Sequence, residues 1–225
     1  LDNATHVDTF AIGSSTYAIV VSADGVQIID ISDPTNIVAK DAETDEVNGF
    51  TNLEGASHVA TFKIGSSTYA IVTGDGVQII DISDPTNIVA TDAKTDGENG
   101  FMGTDTTGVE TFTIGSSTYA IVTSRDDNGV TIIDISDPTN IVVTDMEIDG
   151  VNGFTELETA IDVATFTIGS STYAIVVAHD DQSAPAIDDN GVQIIDISDP
   201  TNIVAKDAET DGENGFDELD GAIDV

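Results

Sequence analysis

The sequence predicts an all-β protein made of tandem repeats. The phrase GVQIIDISDPTNIVA, with two substitutions in the third copy, begins at Gly25, Gly76, Gly129 and Gly191. A second phrase, IGSSTYAIV, precedes each copy, starting at Ile12, Ile64, Ile114 and Ile168. A fixed period of roughly 50 residues is typical of stacked or radially arranged units. We therefore predict a single repeat domain over residues 1–225.

Alignment on both phrases defines the units. The repeats are 1–52, 53–102, 103–156 and 157–218, and residues 219–225 begin a fifth. The repeats differ in length at one place, between TYAIV and the following GV. There the second repeat has TGD and the fourth has VAHDDQSAPAIDDN. Variation confined to one site predicts a surface loop on a constant scaffold.

Each repeat contains four predicted strands. In the second repeat, residues 58–64 alternate between two faces as a strand does. A Gly-Ser-Ser hairpin then leads into residues 68–72, and residues 77–82 form a third strand that is apolar on both faces. SDPTN is a turn, because its Asp can bond forward along the backbone and its Pro presets the next φ angle. Residues 87–92 form the fourth strand.

The architecture follows from the two apolar faces of each sheet. Such a sheet must be covered on both sides, and identical neighbours supply that cover. Radial stacking of four-stranded antiparallel blades gives a β-propeller, and a linear solenoid is the second choice. This chain supplies four blades, which form a ring of their own or contribute to a larger ring or array.

The combination of TYAIV, a variable loop, GVQIIDISDP and NIV resembles the LVIVD-type repeat of extracellular β-propellers. The resemblance covers most of each repeat. It implies a propeller and a place at the cell surface, and it implies no catalytic residues. Proteins with such repeats usually form rings of more than four blades, so the four repeats of this chain are fewer than the resemblance implies.

Charge excludes several classes of partner. The chain has 42 Asp and Glu against 5 Lys and Arg, a formal charge of -37, yet 40% of its residues are hydrophobic. This composition indicates folded strands joined by acidic loops, and it argues against nucleic acid or an anionic membrane as a partner. The sequence contains no run of 18 apolar residues, so membrane insertion is not expected. Abundant Asp, few Lys and no Cys favour an extracellular or cell-surface protein, with an acidic halophilic cytoplasm as the alternative.

A carboxylate recurs inside the Ile-rich strand of each repeat, at Asp30, Asp81, Asp134 and Asp196. Because a buried carboxylate must be hydrogen-bonded, we expect the amides of the adjacent turn to be its donors. The alternative is a ring of four acids around the axis that holds a cation.

The acidic tails that end the repeats are candidate calcium sites. Carboxylate and amide oxygens on flexible Gly-containing loops suit Ca²⁺, which takes six to eight oxygen ligands. The candidate ligands are Asp96, Glu98, Asn99, Asp149, Asn152, Asp211, Glu213 and Asn214. A solvated acidic turn is the alternative for these tails.

The long loop of the fourth repeat is a candidate recognition loop. Its polar residues are His179, Asp180, Asp181, Asp188 and Asp189. His6 and His58 occupy equivalent positions, which hold Gly108 and Asp162 in the other repeats, so these two histidines are interpreted as incidental.

The function favoured by these patterns is a structural or adhesive surface protein that assembles with itself. Its partners would be other copies, head to tail or in a larger ring, with a surface glycan or protein as a further partner. A binding module for a glycan, peptide or small ligand is the alternative. An enzyme is not expected, because no nucleophile elbow, phosphate-binding glycine loop or zinc-type His pair is present.

Overall fold

Sixteen strands form four antiparallel sheets in the computed structural model, which describes residues 3–103, 105–179, 190–219, 222–223 and 225. The first sheet contains β1 (Ala4–Ile12), β2 (Ser15–Ser22), β3 (Gly25–Asp30) and β4 (Val38–Thr44). The second contains β5 (Val59–Ile64), β6 (Ser67–Thr73), β7 (Gly76–Asp81) and β8 (Val89–Thr95). The third contains β9 (Thr106–Ile114), β10 (Ser117–Ser124), β11 (Gly129–Asp134) and β12 (Val142–Ile148). The fourth contains β13 (Ala160–Ile168), β14 (Ser171–Ala178), β15 (Gly191–Asp196) and β16 (Val204–Thr210).

Each sheet is one repeat, and its strands pair in sequence order. The first strands of successive sheets contact one another, β1 with β5, β5 with β9 and β9 with β13. The four sheets, here called blades 1 to 4, therefore surround a common axis with their first strands innermost. This arrangement confirms the predicted β-propeller of four-stranded antiparallel blades. In the described part of the chain, no helix has the length and apolar character needed to cross a membrane.

The fourth strand of blade 2 differs from its predicted range of residues 87–92. In blade 2 it begins at Val89 rather than at residue 87. Ile88 stays outside the strand, because its N–H donates 2.8 Å to Asp41 Oδ2 of blade 1. A register shift between Ile79 and Ile80 then places one extra residue, Thr91, in the fourth strand. Bulges of this kind re-aim side chains. In each blade the extra residue lies directly before an Asp of the fourth strand, at Asp41, Asp92, Asp145 and Asp207.

The hydrophobic core lies between blades rather than within them. Three clusters fill the boundaries between blades 1 and 2, 2 and 3, and 3 and 4. Each cluster includes a Phe from the segment that connects the two blades: Phe50, Phe101 and Phe154 are all fully buried. A cross-strand Phe–Tyr pair, such as Phe10 and Tyr17 with ring centroids 5.5 Å apart, also lies in each blade. Because burial of large apolar side chains is the main favourable term in folding, each blade depends on its neighbours.

Close backbone approach explains the glycine that opens each third strand. A Cβ atom at Gly25, Gly76 or Gly129 would lie 2.4, 2.3 or 2.5 Å from a backbone carbonyl oxygen of the adjacent fourth strand. No side chain fits in that space, so the phrase begins with Gly in every repeat.

Candidate functional site

The Asp of each Ile-rich strand is a turn-forming residue. Asp30 Oδ1 accepts the N–H of Ser32 at 3.0 Å, and the equivalent bonds at Asp81, Asp134 and Asp196 measure 2.9, 2.9 and 3.1 Å. The predicted hydrogen bonding to turn amides is confirmed. The hydrogen bonds from Ser32, together with the Lys40 ammonium at 3.0 Å, lower the pKa of Asp30 to about 2. These residues lie on third strands, two strands away from the axis, so they do not form an axial ring.

A second repeated Asp joins successive blades. Asp41 Oδ2 accepts the N–H of Ile88 in the next blade at 2.8 Å. Asp92 bonds to Ile141 at 2.8 Å and Asp145 to Ile203 at 2.7 Å in the same way. Each of these Ile side chains is buried in the boundary. The repeat therefore carries both halves of one interface. The carboxylate lies on the side of a blade that faces the next blade, here called its trailing side, and the Ile lies on the side that faces the preceding blade, its leading side.

The acidic tails form hydrogen-bonded turns. Asp149 Oδ1 accepts the N–H of Leu157 at 3.0 Å, and Asp211 Oδ1 accepts that of Leu219 at 2.6 Å. In the shorter tail of blade 2, Asp96 Oδ1 accepts the N–H of Gly103 at 3.2 Å.

The Asn of each tail has a left-handed backbone, with φ of 53° at Asn99, 54° at Asn152 and 49° at Asn214. The Nδ2 of Asn152 donates to both carboxylate oxygens of Glu147, at 3.2 and 3.0 Å. Asn214 Nδ2 donates to Glu209 at 2.8 Å. These bonds use the amide nitrogen and not the oxygen that calcium would take.

The remaining calcium candidates are the glutamates Glu98 and Glu213, which are exposed. Glu98 lies 3.8 Å from the ammonium of Lys94. Among the described residues, no three His, Asp or Glu side chains gather as a group that could hold a metal ion. Calcium binding at the tails stays a prediction.

The candidate recognition loop is described at its two ends. His179 Nδ1 lies 2.6 Å from Asn190 Oδ1, across the base of the loop. Asp180, Asp181, Asp188 and Asp189 lie outside the described residues. The recognition role of the loop stays a prediction.

The innermost strands surround a cavity of about 280 Å³ at the propeller axis. His6 and His58 stack there with ring centroids 3.5 Å apart, and His58 Nε2 lies 3.5 Å from Asp162 Oδ1. Gly108 occupies the equivalent position on β9, where a Cβ atom would lie 2.7 Å from the Cα atom of Asp162. The lack of a side chain at Gly108 therefore permits the close approach of β9 and β13.

Three carboxylates give this axial cavity its electrostatic character. Asp8, Glu110 and Asp162 all line it. Burial raises the pKa of Glu110, and the negative charges of Asp8 and Asp162 raise it further, against a lowering hydrogen bond from the Thr111 N–H. Asp8 Oδ2 accepts the N–H of Thr61 at 2.7 Å, which ties blade 2 to blade 1 at the axis. Perturbed carboxyl groups in a cavity are a feature of functional sites.

Sequence reasoning missed this site because it treated non-repeated residues as incidental. Positions 6, 58, 108 and 162 are equivalent in the repeat but hold His, His, Gly and Asp. Their divergence on otherwise regular inner strands was the available signal. Because the fold does not require one residue type at this position, the side chains there can differ between blades and give the axial cavity its own chemistry.

The blades, their shared interface and the axial cavity define a propeller-type repeat protein. The LVIVD repeat model matches the chain four times, at residues 14–42, 66–91, 116–145 and 186–208, and each match lies within one blade's repeat. The chain is therefore an LVIVD repeat protein. None of the curated proteins matches it.

Solved structures with a similar fold have little sequence in common with the chain. A functionally unknown protein from Desulfotomaculum acetoxidans aligns with a TM-score of 0.61 at 14% identity, over 93% of this chain and 56% of that one. A thermostable family-43 glycoside hydrolase aligns with a TM-score of 0.55 at 10% identity, over 91% of this chain and 72% of that one. A GH32 β-fructofuranosidase from Bombyx mori aligns with a TM-score of 0.53 at 12% identity, over 90% of this chain and 50% of that one. At these identities the similarity shows the fold alone.

Proposed function

We propose that the chain is a non-enzymatic structural repeat protein that builds larger assemblies by stacking blades. The observation that carries the proposal is the interface between successive blades, which is formed by the same residues of each repeat. The carboxylates of Asp41, Asp92 and Asp145 each receive the N–H of an Ile from the following blade, at 2.7–2.8 Å. A unit with both halves of one interface stacks on any like unit, which is the property of a building block.

Light scattering and electron microscopy of the purified chain test this proposal. Oligomeric rings or filaments should appear as concentration rises. Salt should favour them, because copies that each carry a formal charge of -37 repel one another at low ionic strength. A monomer at every concentration and salt level would contradict a self-assembling function.

We place this function outside the cell or on its surface. The strong acidity and the absence of cysteine support that location. A further element of the proposal is that calcium stabilises the acidic tails, whose exposed carboxylates are oxygen ligands of the kind Ca²⁺ prefers. Surface labelling of the native cells with an antibody to the chain would test the location.

A second candidate function is glycoside hydrolysis at the axial cavity. The specific observation in its favour is that three carboxyl groups, those of Glu110, Asp8 and Asp162, line one cavity, where burial raises the pKa of Glu110. Glycosidases use a protonated carboxyl as general acid with a second, ionised carboxylate, and two of the structural neighbours are glycoside hydrolases by name. Aryl glycosides and fructosides assayed with the chain and with Glu110→Gln test this candidate. Turnover that Glu110→Gln abolishes would replace the structural function with an enzymatic one.

A further inference from the structure

The leading side of blade 1 exposes residues that are buried in every other blade. Ile37 is 64% exposed, whereas its equivalents Ile88, Ile141 and Ile203 are 4%, 1% and 4% exposed. Val7 is 53% exposed, and its equivalents in the other blades are at most 3% exposed. The local sequence around these positions is nearly identical. The difference therefore comes from packing, because blades 2 to 4 each lie against a preceding blade and no described residues cover this side of blade 1. We call this surface, formed by Val7, Ile29, Ile31 and Ile37, the leading face.

The trailing side of blade 4 is open in the complementary way. Phe216 is 40% exposed, whereas its equivalents Phe50, Phe101 and Phe154 are 0%, 1% and 0% exposed. Phe166 and Ile194 are also only partly buried, although their equivalents in blades 1 to 3 are buried. We call this surface, formed by Phe166, Ile194, Asp207 and Phe216, the trailing face.

Asp207 on the trailing face is already oriented for the inter-blade bond. Its Oδ1 accepts the N–H of Ala208 at 3.2 Å, as Asp41 Oδ1 accepts that of Ala42 at 3.0 Å. In blade 1, the other oxygen of Asp41 accepts the Ile88 N–H of the next blade. Among the described residues, no following blade supplies the corresponding Ile N–H to Asp207. The Ile37 N–H on the leading face is its chemical match.

We propose that the trailing face of one copy of this chain binds the leading face of a second copy, so that copies join head to tail. The two faces are the separated halves of an interface that the chain forms three times within itself. This inference rests on the proposed structural function and names the partner and the surfaces. The contact is heterologous, because different surfaces meet, and it therefore extends into rings or filaments.

The C-terminal segment occupies part of the surface next to the trailing face where the second copy would bind. The N–H of Val225 donates to Asp162 Oδ2 at 3.1 Å, as the N–H of the equivalent Val59 donates to His6 Nδ1 at 3.4 Å. The Ala222 N–H also bonds to Leu219 O at 3.1 Å, as the equivalent Ala56 does to Leu53. Residues 222, 223 and 225 thus lie where residues 4, 5 and 7 of the incoming copy would bind. Their removal should strengthen association rather than weaken it.

Sedimentation velocity over a wide concentration range tests the proposal with three single variants and one truncation. Ile37→Asp alters the leading face, Phe216→Asp alters the trailing face, and Val151→Asp places the same charge at a 42% exposed Val on neither face. Each face variant should weaken association at least about 10-fold, because an apolar residue at the centre of a packed interface is a hot spot. Val151→Asp should leave association unchanged, and the chain that ends at Gly221 should associate more tightly. Circular dichroism verifies that all four keep the strand content.

A mixture of the two face variants gives the decisive result. The Ile37→Asp copy keeps an intact trailing face, and the Phe216→Asp copy keeps an intact leading face. Their 1:1 mixture should therefore form a dimer and nothing larger, at concentrations where each variant alone stays monomeric. Association that survives both substitutions, or a mixture that stays monomeric, overturns the inference and leaves the structural function standing. A monomer for the wild type and for the truncated chain overturns both.

Discussion

The inter-blade carboxylate Asp145 offers a test with an internal control. Asp145→Ala removes two hydrogen bonds, one to Met146 in its own strand and one to the Ile203 N–H of blade 4 at 2.7 Å. Asp207→Ala removes the equivalent bond to Ala208 but, in the described part of the chain, no bond between blades. Both variants lose one negative charge, so the difference between them isolates the inter-blade bond.

A hydrogen bond to a charged group contributes about 1.5–3 kcal/mol, and the Ile203 N–H would keep no acceptor in the boundary. Asp145→Ala should therefore lower the free energy of unfolding by about 1.5–3 kcal/mol more than Asp207→Ala. For a chain of this size, that difference is about 3–12 °C in Tm. Urea unfolding followed by circular dichroism, at a concentration where the chain is monomeric, measures it. Losses that agree within about 0.5 kcal/mol would refute the assigned role of the repeated Asp.

Three further predictions concern the boundary, the axis and the tails. Ile203→Ala should cost about 2–5 kcal/mol of unfolding free energy, because it leaves a cavity in a packed boundary, whereas Ile37→Ala should cost less than about 0.5 kcal/mol; equal costs in urea unfolding would contradict the open leading face. Glu110 has a raised pKa in the folded state, so its stabilising effect is present at acid pH and is lost as the pH rises through that pKa. Glu110→Gln should accordingly raise Tm at pH 7 and leave it unchanged near pH 4, unlike the exposed-site control Glu54→Gln; a Tm gain that is the same at both pH values would argue against a desolvated Glu110. Chelation should lower Tm and millimolar Ca²⁺ should restore it better than NaCl of equal ionic strength; equal recovery in the two salts would leave the solvated-turn interpretation of the tails.

The repeated features of the fold were predictable from the sequence because they depend on local chemistry. Within the SDPTN turn and at the bond from the Ser32 N–H to the Asp30 carboxylate, the partners are two residues apart in the chain. The strand order followed from hairpins between adjacent apolar runs. The start of the fourth strand was missed because Ile88 is held by Asp41, 47 residues earlier, in another blade.

The composition of the axial cavity was missed for a similar reason, although the divergence of positions 6, 58, 108 and 162 marked these positions as unusual. His6, His58 and Asp162 come from three different repeats, and their meeting depends on how the inner strands pack around the axis. The two open faces were equally hidden. Ile37 and Ile88 both follow the same turn and precede the same Val-Ala pair, yet one is 64% exposed and the other 4%. Because the repeats are nearly identical in sequence here, the sequence does not reveal which repeat has a side that no other blade covers.

Hydrogen exchange at the Ile amides tests most directly that one repeated interface both builds the blades and joins the copies. In dilute solution, the N–H groups of Ile88, Ile141 and Ile203 should exchange slowly, because each is bonded to a carboxylate of the preceding blade, whereas the N–H of Ile37 should exchange rapidly. As concentration rises and copies associate, the Ile37 amide should become protected while the other three stay unchanged. An Ile37 amide that remains unprotected in the associated state, or inner Ile amides that exchange as fast as Ile37 in the monomer, would contradict the account.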